Sequence, residues 1–133
     1  MREFSKDING TKYLLTVIDI FSKFVRIVPL KRKSGREVAS EFSRILNERR
    51  PSKMWVDKGR EFYNKNLRKL VEVYSTENEE KSCVIERFNR TANNTRKCVH
   101  VLFLHVDEYN NTIHLSIKMT PKEASRKKNE NKV

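Results

Sequence analysis

Glycine and proline are scarce, with three of each in 133 residues. That excludes collagen-like, repetitive and glycine- or proline-rich disordered chains. No apolar run approaches the roughly 18 residues a membrane span requires. The first ten residues, MREFSKDING, lack the apolar middle of a secretory leader. The two cysteines, Cys83 and Cys98, are therefore expected as reduced thiols in an intracellular protein rather than as a disulfide framework. Together with His100, His105 and His114 they show no C-x₂-C or H-x₃-H spacing, so no zinc module is read. There is one Trp. Trp55 precedes Val56 and Asp57 and is read as core rather than as a stacking platform.

Positive charge is what the chain has in excess. Lys and Arg number 29 against 17 Asp and Glu, a net charge of +12, and the pI is about 9.9. Charged residues reach 35% and apolar ones only 37%, which implies a thin core in a chain of single-domain length. Such a balance fits a polyanionic partner, nucleic acid being the commonest, with a merely solvated basic surface as the alternative. Two clusters stand out. Lys23, Arg26, Lys31, Arg32, Lys33 and Arg36 form one, and Lys118, Lys122, Arg126, Lys127 and Lys128 form the other. Phosphate contact there would be independent of sequence and steeply salt-dependent.

Residues 12–20 and 22–30 are rich in β-branched and aromatic types with apolar residues on both faces, which predicts an antiparallel pair in a covered sheet. Ser34 and Glu37 are spaced as a capping box. Behind them Val38, Ala39, Phe42, Ile45 and Leu46 share one helix face, which should end before Pro51. Met54, Trp55 and Val56 predict a short strand. Leu67, Leu70, Val71 and Tyr74 predict a second amphipathic helix, residues 75–82 a loop, and residues 84–90 a third helix start. Residues 98–106 are apolar almost all round and are expected to be buried. Thr120, Pro121 and Glu123 form another capping box. This order of elements is α/β, a mixed sheet with helices packed against it.

Asp57 stands at the carboxyl end of a predicted strand, before the turn at Gly59, and sites collect at such ends. Glu86 opens a predicted helix. Two carboxylates so placed suit Mg²⁺, which takes one or two carboxylates plus phosphate oxygens and water. Among 17 acidic residues that spacing alone identifies nothing. Four runs in order do more: KYLLTVIDIFSKFVRIVPL, WVDKGREFYN, VIERFNRT and EYNNTIHLSIKMTP. Over about residues 4–125 they resemble the integrase catalytic core of retroviruses, retrotransposons and reading frames derived from them.

The resemblance implies a ribonuclease H-like α/β fold over residues 1–125, with a basic flexible tail at 126–133. In that family a D, D, E carboxylate set holds two Mg²⁺ or Mn²⁺ ions for in-line attack on a phosphodiester by water or a DNA 3′ hydroxyl. Asp57 matches the second carboxylate and Glu86 the third, so both are the expected catalytic and metal-binding residues. Asn89 and Arg90, three and four positions past Glu86, share its helix face and are expected to approach DNA. Lys31, Arg32 and Lys33 are expected on its phosphates. DNA is the implied partner, with nuclear localisation if DNA binding is retained, no membrane association, and pairing of two copies through a helix face open.

The departures are specific. The first Asp belongs on a strand expected before Met1, and neither Asp7 nor Asp19 replaces it. Glu86 lies 29 positions beyond Asp57, fewer than the family interval, and the helix after FNRT is cut short by ANNT. The first strand and part of the helical layer are thus expected to be missing, which would bare apolar surface. Two metal ions about 4 Å apart repel, and the first Asp is what bridges them. The expectation is a retroelement-derived core whose ancestral role was DNA integration, inactive by itself, with residual nucleic-acid binding. Its status as an enzyme stays open. The alternatives are a transferase active only within a longer product, and a fragment that does not fold.

Overall fold

A computed structural model describes residues 2–3, 10–48, 50–51, 53–56, 59–74, 88 and 99–126. The strands are β1 (Arg2–Glu3), β2 (Tyr13–Ile18), β3 (Val25–Leu30), β4 (Lys53–Trp55) and β5 (Glu72–Tyr74). The helices are α1 (Gly35–Glu48), α2 (Lys65–Leu70), α3 (Val99–Asn111) and α4 (Pro121–Ala124). Strands β1, β2 and β3 form one sheet in that order, with β1 antiparallel to β2. Flanking bonds from the Lys12 amide to the Leu30 carbonyl and from the Asp19 amide to the Phe24 carbonyl, both 3.0 Å, run in reverse order, so β2 and β3 are antiparallel as well. Strands β4 and β5 form a separate parallel pair, Met54 opposite Val73. The chain divides into two compact units, Met1–Leu15 with Val28–Lys81, and Thr16–Ile27 with Ser82–Val133.

In the first unit Leu14, Leu15 and Leu30 are buried from the hairpin. Val38, Ala39, Phe42 and Leu46 of the predicted stripe are buried from α1, while Ile45 is half-buried. The capping box is half made. The Ser34 hydroxyl accepts the Glu37 amide at 3.3 Å. The Glu37 carboxylate instead reaches back to the amides of Lys31 and Arg32, at 2.8 and 3.0 Å, and so fixes the turn between β3 and α1. Helix α1 packs on α2, whose Leu67 is fully buried.

The second helix is shorter than its apolar spacing suggests. Asn64 caps α2, its side chain accepting the Leu67 amide at 3.0 Å, and the helix closes at Leu70. Val71 is already extended. Glu72, Val73 and Tyr74 then pair with β4. These residues are β-branched or aromatic in two places, and a parallel partner outweighs their weak helical pattern. Helix α2 thereby becomes the crossover that a parallel pair requires.

In the second unit the turn at residues 19–24 closes the hairpin. The Asp19 carboxylate accepts the Phe21 amide at 3.1 Å and the Ser22 hydroxyl at 2.7 Å, and Lys23 adopts φ of 61°. Helix α3 corrects the expectation of burial for residues 98–106 over its described side chains, 100–106. Leu102, Val106 and Asn110, spaced by four, are buried, whereas Val101, Phe103 and Leu104 are exposed. A helix packed along one stripe buries only that stripe, however apolar the rest. At α4 the full capping box forms around Thr120 and Glu123, with Pro121 at the first position.

Candidate functional site

The second family motif, WVDKGREFYN, begins on β4 and runs to the cap of α2. Val56 and Phe62 are buried on either side of Asp57; Asp57 itself lies outside the described residues. Past it, Glu61 is unusual, a carboxylate only 8% exposed. The Lys33 ammonium lies 3.1 Å from its Oε1, and the Asn64 side chain donates to its carbonyl at 2.8 Å. A Cβ on Gly59 would stand 2.6 Å from that carboxylate, so glycine makes room for it. Glu61 is thus held at two points, its carboxylate by Lys33 and its carbonyl by Asn64. Sequence reading passed over Glu61 because nothing in its spacing separates it from other acids.

Lys31, Arg32 and Lys33 sit on the exposed turn that opens α1. Lys31 and Arg32 leave their charged ends in solvent while their amides bind Glu37. Lys33 is committed to Glu61. On α2, Lys65, Arg68 and Lys69 are exposed, and the Arg68 guanidinium lies 5.5 Å from the Tyr63 ring centre. That basic face carries a legible signal, the spacing i, i+3, i+4, which the sequence reading did not use.

Glu86, Asn89 and Arg90 lie outside the described residues. Within the same motif Phe88 is helical and 3% exposed. It stacks on His105 at 6.1 Å and meets Tyr109 edge-on at 5.3 Å, and Tyr109 meets His114 at 4.5 Å. Phe88 therefore packs against α3, within the second unit. The EYNNT segment is structural too. Asn111 donates to the Asp107 carbonyl at 2.8 Å, and the Thr112 hydroxyl to the Glu108 carbonyl at 2.8 Å. Asp19 serves its own turn. Among the described residues no group of three or more His, Cys, Asp or Glu is placed to hold a metal ion, and no described helix is long and apolar enough to cross a membrane.

A hairpin continued by an amphipathic helix, a parallel β-α-β unit and a C-terminal helical layer define a class. This is the fold of an integrase catalytic core. It is similar to the crystal structure of the catalytic core domain of BIV integrase, with a TM-score of 0.66 and 17% identity over 86% of this chain and 85% of that one. Sequence and structure thus agree on the resemblance that the four motifs carry. A Caenorhabditis elegans protein, described as transposon-derived and uncharacterized, is 32% identical over 143 residues. The match takes in 95% of this chain and 50% of that protein, so the chain spans about half the length of the curated relative. No protein-family model matches.

Proposed function

We propose that the chain is a retroelement-derived integrase core, descended from an enzyme of DNA integration, that is catalytically inactive by itself and retains binding to DNA. One observation carries this reading. The chain that carries the four family motifs in order has an integrase-core fold over 86% of its length, which supports the descent. The transposon-derived description of the C. elegans relative supports the origin, and the net charge of +12 supports a polyanionic partner.

Asp57 and Glu86, by their motifs, are the two residues that would hold Mg²⁺ or Mn²⁺, and Asn89 and Arg90 would approach DNA. The ion would supply Lewis acidity toward a phosphodiester. Residues 1–133 offer no match for the first carboxylate, and without that bridge the repulsion between two ions is not offset. The test is a strand-transfer and 3′-processing assay on the purified chain with Mn²⁺. No turnover is expected, and turnover abolished by Asp57→Asn would overturn the claim of inactivity. Duplex binding should fall steeply with salt. A flat dependence of log affinity on log salt excludes phosphate contact.

The coverage of only 50% of the relative favours a second reading, an active transferase assembled within a longer product. Fusion of the preceding coding segment, followed by the same assay, decides between the two.

A further inference from the structure

Six cationic side chains flank one point of close approach in the first unit. Gly35 opens α1 and Asn64 caps α2, and a Cβ on Gly35 would lie 2.8 Å from Asn64 Nδ2. The basic turn before α1 and the basic face of α2 therefore start side by side. Lys31 and Arg32 are exposed on the turn and Arg36 at the start of α1, and Lys65, Arg68 and Lys69 are exposed on α2. Among the described residues none of the six makes an ion pair. Lys33, in their midst, is neutralised by the buried Glu61 and instead braces the turn against the segment leading into α2.

We infer that this surface grips the phosphate backbone of double-stranded DNA, with Lys33 as its internal brace rather than a phosphate ligand. The inference rests on the DNA-binding reading above and assigns the residues that carry it. Duplex DNA presents about one negative charge per 1.7 Å of axis, and a cluster of cations without acidic partners answers that density. The cations are long side chains on two elements locked together, so the charge is presented without a large ordering cost to the backbone. Arg68 is further restrained by the Tyr63 ring, which leaves its N–H edges for phosphate oxygens.

The test uses the full chain and a fluorescently labelled duplex of random sequence, titrated at salt concentrations between about 50 and 200 mM. Two triple variants remove the surface, Lys31→Gln with Arg32→Gln and Arg36→Gln, and Lys65→Gln with Arg68→Gln and Lys69→Gln. A third, Arg44→Gln with Lys53→Gln and Lys122→Gln, all exposed, removes equal charge from positions outside the six. Each surface triple should weaken binding at least about tenfold and lower the slope of log affinity against log salt by about 2–3, while the dispersed triple changes the slope by less than about 1. Equal effects from all three triples, or parent-like slopes in the surface triples, would overturn the assignment and leave DNA binding standing. No binding by the parent chain would overturn both. Single Lys65→Gln and Lys69→Gln variants, on exposed positions, repeat the slope measurement should a triple variant lose its helical circular dichroism.

Discussion

Asn110 closes the open side of the strand at Val25. Its side-chain oxygen accepts the Val25 amide at 2.9 Å and its side-chain nitrogen donates to the Val25 carbonyl at 2.8 Å. Val25 is the first residue of β3, and both residues are buried. The carboxamide thus does for one residue what a neighbouring strand would do, satisfying a donor and an acceptor together. Asn110→Ala would leave both backbone groups buried and unpaired, at about 1–3 kcal/mol each. A loss of about 2–4 kcal/mol in urea unfolding is expected. Asn110→Asp should be comparably damaging, because a carboxylate keeps the acceptor and sets an oxygen against the Val25 carbonyl. A neutral Asn110→Ala would show that water replaces the side chain.

How much of this was legible beforehand follows from what kind of signal each residue carries. The hairpin and the buried face of α1 were readable because periodicity reports local burial directly. The box at Thr120 was readable because its chemistry is local. The box at Ser34 was only half right, since the Glu37 side chain found amides outside its own helix. Strand β5 was hidden because its partner β4 is far along the chain. Asn110 was hidden for the same reason, with its bond spanning 85 positions. The assignment of Asp57 and Glu86 rests on family motifs alone, because an Asp at a strand end looks the same whether or not it serves a reaction, and both lie outside the described residues. Glu61, buried and paired, had no sequence signature at all.

The Lys33–Glu61 pair should behave asymmetrically. Glu61 is 7% exposed at its side chain and Lys33 is 43% exposed, so water screens the cation and not the carboxylate. Lys33→Met strands a buried charge and should cost about 1–3 kcal/mol, below the cost of breaking a fully buried pair. Glu61→Gln removes the charge that needs a partner and should cost less. The double variant should then be no worse than Glu61→Gln alone. Denaturant unfolding of the four proteins gives the coupling energy, and strictly additive losses would mean that the two side chains do not depend on each other.

Helix α3 makes a sharper contrast. Leu102 is 8% exposed and Leu104 is 60% exposed, though both lie in one unbroken apolar run. Leu102→Ala should cost about 2–5 kcal/mol through lost burial and the cavity left behind. Leu104→Lys should shift stability by no more than about 0.5 kcal/mol. Thermal unfolding of both variants checks the orientation of the helix. A severe loss for Leu104→Lys together with a mild one for Leu102→Ala would mean that the helix is rotated about its axis relative to this packing.

The capping box at α4 predicts an acid-sensitive helix start. The Thr120 amide and then the Thr120 hydroxyl donate to the Glu123 carboxylate, at 3.1 and 2.9 Å, and hold its pKa below the usual glutamate value. Arg126 adds a smaller effect in the same direction. A carboxylate whose pKa is lower folded than unfolded stabilises the fold in full above the unfolded pKa of about 4.3. That contribution is lost as pH falls through the lower, folded value. Glu123→Gln keeps the spacing and removes the titration. The parent should therefore unfold at higher denaturant than Glu123→Gln near neutral pH, and the gap should close on acidification through the range below about pH 4. Thr120→Ala, which removes the hydroxyl donor, should narrow the same gap at neutral pH. A gap that is constant with pH would mean that the carboxylate gains nothing from these donors on folding.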